Sequence, residues 1–310
     1  MPLSMPLGGV VPPVCTPLTP GGDVDVRSLG ALVEHVLGAG VDAVFALGSS
    51  GEAAFLTDDR RGTALRAVVE AVGGRVPVLA GAIDMTTARV LAHARVAESL
   101  GADALVVTAP FYAGAHPAET ADHFRRVRAG TRLPLIAYDI PPAVHSKLTP
   151  AVLLPLVEDG TLAGLKDSSG DLGMLRRLLV ALRERGLDRR FGVLTGSELA
   201  ADAALLAGAH GVVPGLGNVD PAGFVRLYAH ARAGRWRETA AEQDRLAALF
   251  ALAETGDPVA MSGGSSALAG FKTALHLLGV IACPATAARP GLPQESVRVV
   301  RRLLEEAGLL

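Results

Sequence analysis

The chain has 310 residues, 50% of them hydrophobic, with 29 basic and 31 acidic side chains for a formal net charge of −2. That composition excludes a disordered chain, and the evenly spread charge offers no basic face to nucleic acid. Mean hydropathy is +0.37, yet charges or prolines cut every long apolar stretch before the roughly 18 residues a membrane span needs.

The first 22 residues carry no charged side chain. They lack a basic leader region, and Pro2, Pro6, Pro12, Pro13, Pro17 and Pro20 interrupt any helical core, so no signal peptide is expected and a cytoplasmic location follows by default. Cys15 and Cys283 are too few for a disulfide framework and have no metal-ligand spacing. Lysine occurs three times, as Lys147, Lys166 and Lys272, against 26 arginines. Where arginine serves, this chain uses arginine, so a lysine that persists is weighted toward amine chemistry.

In chain order, short apolar runs alternate with turns and amphipathic helices. The runs lie at 10–15, 42–47, 76–80, 104–108, 134–138, 162–166, 191–194 and 210–213. They are continuously apolar, as parallel strands buried on both faces should be. Between them, Val26, Leu29, Leu32, Val33, Val36 and Leu37 follow helical periodicity, as do Leu172, Leu175, Leu178, Leu179 and Leu182 behind an Asp171 N-cap. Thr57 is placed to cap a second helix, with Asp58 and Asp59 in its first turn. Eight such units predict an α/β fold, a (β/α)8 TIM barrel over residues 1–233, with a doubly wound open sheet as the alternative. Helices are expected at 221–233, 235–253, 265–278 and 294–306. The first closes the barrel, and the other three form a helical appendage over 234–310.

In such a barrel the chemistry sits where strands end. Lys166 closes an apolar strand, and an amine buried in a barrel mouth is disfavoured as an ammonium and becomes a nucleophile. By position alone it equally reads as a lysine paired with Asp167 or another strand-end carboxylate. Tyr138 ends the adjacent strand and is either a proton relay or a packing tyrosine. Ser49 and Ser50 sit in a glycine-flanked turn that suits a carboxylate. A lysine, a phenol and an anion-binding turn together suit imine formation with a 2-keto acid. Cys15 and the Trp236, Leu246, Leu249, Phe250 set read as packing, Lys147 and Lys272 as surface or helix-face charges, and His116 and His145 as loop residues near the mouth.

The segments PVCTPL (13–18), GSSGE (48–52), VTAPFY (107–112), YDIP (138–141), GLKDSSGD (164–171) and AGLL (307–310) carry a resemblance. The chain resembles the dihydrodipicolinate synthase and N-acetylneuraminate lyase family of class I, Schiff-base-forming aldolases. The resemblance implies that Lys166 forms an imine with pyruvate and that Tyr138 shuttles protons and bonds the substrate carboxylate. It places Ser49 and Ser50 on the hydroxyl pair that holds that carboxylate and completes the relay, and Ser50 is taken as the catalytic member. It makes Tyr112 a tyrosine lent across a subunit interface, hence a homo-oligomer, a dimer or tetramer, and sets Gly196 and Val213 along the imine pocket.

The departures are equally informative. The arginine by which synthases hold the second substrate's carboxylate is here Ala143, and no arginine occurs between Arg132 and Arg176. The serine of the sialic acid lyases aligns with Gly215, the asparagine after the tyrosine is Asp139, and Ile83, Asp84 and Met85 replace small residues after the third strand. The expected function is therefore a lyase on a 2-keto-3-deoxy sugar acid, with Ala143, His145 and Glu198 facing its hydroxylated end. A dehydratase on the same imine, a dihydrodipicolinate synthase proper, a catalytically idle ligand-binding barrel and a phosphate-substrate barrel are the alternatives. No metal or organic cofactor is implied, since no cluster of His, Asp and Glu ligands stands out.

Overall fold

The computed structural model describes residues 5–287 and 291–310. Residues 1–4, with Pro2 among the prolines named above, lie outside the described residues. The eight strands are β1 (Gly9–Val10), β2 (Val44–Ala46), β3 (Val78–Gly81), β4 (Ala104–Thr108), β5 (Leu135–Asp139), β6 (Gly164–Asp167), β7 (Gly192–Thr195) and β8 (Gly211–Val212). They run in the order β1-β8-β7-β6-β5-β4-β3-β2, and all neighbours are parallel. A parallel bridge between Pro13 and Phe45 joins the two ends. There Val14 N donates to Phe45 O at 2.9 Å and Phe45 N to Pro12 O at 3.0 Å. The fold is the expected (β/α)8 barrel. The first run is strand only at its start, because Pro12 and Pro13 have no N–H to give the ladder.

Two apolar layers follow from the alternation of side chains along each strand. Leu7, Val11, Phe45, Leu79, Val106, Ile136 and Leu194 fill the barrel interior. Residues of opposite parity, such as Leu105, Val107, Leu165 and Val193, face the surrounding helices. Leu7 plugs the floor of the barrel, and a Cβ at Gly192 would overlap its backbone. Glycine at the start of β7 therefore admits the N-terminal segment.

The helices start where their caps dictate. Asp171 accepts from Met174 N at 2.8 Å and opens Leu172–Glu184, which buries Leu175, Leu178, Leu179 and Leu182. Thr57 accepts from Arg60 N and opens Asp58–Val72. His116 is not a free loop residue; it caps Pro117–Ala129 in a capping box with Glu119. After Pro221–Arg232, the helices Trp236–Phe250, Gly263–Leu277 and Gln294–Glu306 follow with no strand between them among the described residues. Leu246, Leu249, Leu275, Val300 and Leu304 join the same core as the barrel helices. Trp236 departs from the expected core role. It begins its helix 38% exposed, beside Tyr228 and Arg232. Among the described residues, no helix is long and apolar enough to cross a membrane.

Candidate active site

Lys166 lies on β6 in register with Tyr138 of β5, so both side chains leave the same level of the barrel wall. Lys166 is 5% and Tyr138 3% exposed. The amine sits over the phenol ring, 3.6 Å from its centroid, and donates to Ser168 Oγ at 2.8 Å. Tyr138 OH is 3.3 Å from Ser49 Oγ in the turn after β2. Burial opposes ionisation of the phenol, but the Lys166 ammonium and hydrogen bonds from Lys166, Ser49 and Ser168 outweigh it and hold the phenol below its ordinary range.

Space for this arrangement comes from Gly196 after β7, where a Cβ would overlap Ser168 Oγ and lie 3.3 Å from Lys166 Nζ. Val213, just past β8, packs on the same interior cluster as Tyr138. The structure thus brings Lys166, Tyr138, Ser49, Gly196 and Val213 together. It brings Ser49 rather than Ser50 to the phenol.

Lys166 is not paired with Asp167. That carboxylate accepts from Ser169 N at 2.8 Å and lies 3.9 Å from Lys147 Nζ. Lys147 was expected at the surface, but its amine binds the wholly buried Asp139 and donates to Ser169 Oγ at 2.9 Å. Leu148 N also donates to Asp139, at 3.0 Å. Burial still pushes the Asp139 carboxyl up, against the pull of these partners. The aspartate after the tyrosine is therefore one half of a lysine pair that staples β5 to the turn after β6.

Lys272, expected as a surface or helix-face charge, lies in the helix Gly263–Leu277 but is 0% exposed. Its amine binds Glu52, which closes the Ser49 turn, and donates to Ala285 O at 2.8 Å. Ala287 N supplies the other Glu52 oxygen at 2.6 Å. The C-terminal helices thus grip the turn that carries Ser49. A lysine inside a helix gave no local sign of this; the scarcity of lysine was the one usable signal, and each of the three has a specific partner. Cys15 packs beside this pair, and burial pushes its thiol up to about 12, as befits an inert packing residue.

Glu198 accepts from Leu216 N at 2.6 Å in a half-buried position. Burial raises its carboxyl to about 7, although the Leu216 and Gly215 N–H groups and Lys166 pull it down. Ala143 and His145 lie on and just after the short helix Pro141–Val144, both exposed and without a hydrogen bond to the lysine–phenol group. Tyr112 follows β4 in a left-handed conformation, φ 78°, and is 93% exposed. It does not reach Tyr138 within its own chain. It borders an open cleft of about 960 Å³ with Met85, Phe111 and Arg126. Asp84 turns away to Arg89 and His93, at 2.8 and 2.9 Å.

Ser168 escaped the sequence reading. The signal was present, since residues two apart on a strand share a face and Ser168 stands two beyond Lys166.

An amine and a phenol stacked at the C-terminal end of an eight-stranded parallel barrel lie where barrel enzymes carry their active sites. Comparison with known proteins gives the family. The sequence model of the Dihydrodipicolinate synthetase family matches residues 6–300. An uncharacterized DapA-like lyase of Halobacterium salinarum is 35% identical over 98% of this chain and 96% of its own length. The 4-hydroxy-tetrahydrodipicolinate synthase of Xanthomonas campestris is 35% identical over 78% of each chain. Among solved structures, dihydrodipicolinate synthase from Bacteroides thetaiotaomicron superposes with a TM-score of 0.91 at 30% identity, covering 98% of this chain and 99% of that one. YagE of Escherichia coli K12, solved in complex with pyruvate, gives 0.89 at 26% identity with the same coverage. The chain belongs to the dihydrodipicolinate synthetase family, and it is a lyase.

Proposed function

We propose that the chain catalyses aldol cleavage or condensation of a 2-keto-3-deoxy sugar acid, with pyruvate as product or donor, through an imine on Lys166. The observation that carries this reading is the Lys166 amine, 5% exposed, stacked on Tyr138 and bonded to a hydroxyl rather than a carboxylate. The neutral amine attacks the keto carbon, and loss of water leaves an iminium that stabilises a carbanion at C3 as an enamine. Tyr138 and Ser49 are placed to move the protons of these steps, and the 48–51 turn offers N–H and hydroxyl groups to the keto acid's carboxylate.

What the mouth lacks selects the second reactant. An amino acid semialdehyde brings a free carboxylate that needs a fixed cation. Ala143 stands where the synthases' arginine would, and Lys147 is committed to Asp139. Losing such a contact costs about 2–5 kcal/mol, or on the order of 30- to 5,000-fold. Glu198, mostly protonated below about pH 7, suits a hydroxyl instead. The exposed, backbone-strained Tyr112 supports a homo-oligomer in which it reaches a neighbouring subunit.

The test is borohydride reduction with pyruvate, read by intact mass, then condensation assays with aspartate semialdehyde and glyceraldehyde side by side. One reduced adduct on the Lys166 peptide and preference for glyceraldehyde are expected. No adduct with any 2-keto acid, or an adduct on Lys147 or Lys272, sinks the imine. Efficient use of the semialdehyde sinks the specificity argument.

A further inference from the structure

We propose that Lys147 is a positioning residue for the reacting pair: from the far side of β5 and β6, its ammonium holds Tyr138 and Lys166 in the geometry that forms the imine. This role rests on the imine reading above and supplies what keeps the pair in place.

Side chains alternate between the two faces of a strand. Tyr138 belongs to the interior cluster of the barrel, and Lys166 lines the same interior with Phe45, Ile136 and Leu194. Ser168, two beyond Lys166, reaches the amine at 2.8 Å. Asp139, Asp167 and Ser169 each directly follow one of these three and have the opposite parity, that of Ala137 and Leu165, which face the helices. Lys147 Nζ binds Asp139, donates to Ser169 Oγ at 2.9 Å and lies 3.9 Å from Asp167. One ammonium therefore meets the three side chains that stand back to back with the three inward ones.

Asp139 and Asp167 are in register on neighbouring strands. Like charges so placed push apart, and Asp167 is among the groups that lift the Asp139 carboxyl. Among the described residues, Lys147 is the one cation paired with either carboxylate. The backbone carries the consequence inward. Ser168 N donates to Asp139 O at 2.8 Å, and Gly196 N donates to Asp167 O at 2.6 Å. If the strand ends separate, Ser168 and Gly196, which border the Lys166 amine, move with them. The stacking of Lys166 Nζ on Tyr138, 3.6 Å from the ring centroid, is what the outer contacts preserve.

Positioning predicts a loss in the maximal rate of imine formation, with the pyruvate concentration for half the rate nearly unchanged. A merely structural ion pair lowers the melting temperature and leaves the rate of the folded chain alone. Rapid quench into borohydride over a range of pyruvate concentrations measures both parameters for the wild-type chain, Lys147→Met and Ser169→Ala, at a temperature where circular dichroism shows each folded. Lys147→Met is expected to lower the maximal rate by about a hundredfold, the cost of misplacing a reacting group by about 1 Å. Ser169→Ala, which strands no charge, is expected to lower it less and in the same way. A folded Lys147→Met with the wild-type rate overturns the role and leaves the imine standing. So does a raised half-saturation with an unchanged maximal rate, which would make Lys147 a substrate-binding residue. Should Lys147→Met not fold, Ser169→Ala decides by the same criteria. No wild-type adduct with any 2-keto acid overturns the imine and this role together.

Discussion

Lys272→Met strips the counter-charge from Glu52 while keeping an unbranched side chain of similar length. Both partners are 0% exposed along their side chains, so no water replaces the lost ammonium. Of its two partners at Lys272 and Ala287, the Glu52 carboxylate then keeps the Ala287 N–H, at 2.6 Å, and Ala285 O loses the Lys272 donor. Removing one member of a buried pair costs about 3–5 kcal/mol, whereas replacing both by apolar residues is often neutral. At roughly 2 °C per kcal/mol for a chain of this size, melting falls by about 6–10 °C. Calorimetry or urea denaturation of Lys272→Met, Glu52→Leu and the double variant measures this directly. The double variant should recover most of the loss. Single variants within about 0.5 kcal/mol of wild type, or a double variant as poor as the sum of the singles, would refute the buried-pair argument.

Gly196→Ala is expected to abolish imine formation while leaving the melting temperature nearly unchanged, because the new methyl overlaps Ser168 Oγ and crowds Lys166 Nζ; circular dichroism beside borohydride trapping checks both halves. Glu198 carries a carboxyl raised from 4.5 to about 7, so its contribution to stability is fully present below about pH 4.5 and is lost as pH rises through about 7. Thermal melts from pH 4 to 9 should show that loss in the wild-type chain and a flatter profile in Glu198→Gln; identical profiles would contradict it. For Tyr112, sedimentation is expected to show at least a dimer, and Tyr112→Phe to slow turnover more than imine formation; a fully active monomer at nanomolar concentration would contradict the intersubunit role.

Much of the barrel was legible because parallel strands buried on both faces must be continuously apolar, and each predicted run overlaps its strand to within one residue of the strand's ends. Helix starts at Thr57 and Asp171 were legible for an equally local reason: a cap acts within three residues. The helix Pro150–Glu158, with Pro155 inside it, was not among the expected elements. Its first proline sits where no N–H is needed, and Thr149 O still accepts from Val152 and Leu153.

Within the site, the amino-acid sequence by itself determined that Lys166 and Tyr138 end neighbouring strands, because strand order and register in a barrel follow chain order. It did not determine which serine meets the phenol, nor that Lys147 and Lys272 are buried. Those contacts join residues 89, 8 and 220 positions apart in the chain. Only the tertiary structure decided them, because a buried charge takes its partner from whatever element packing brings within a few ångströms, and no local periodicity encodes that choice.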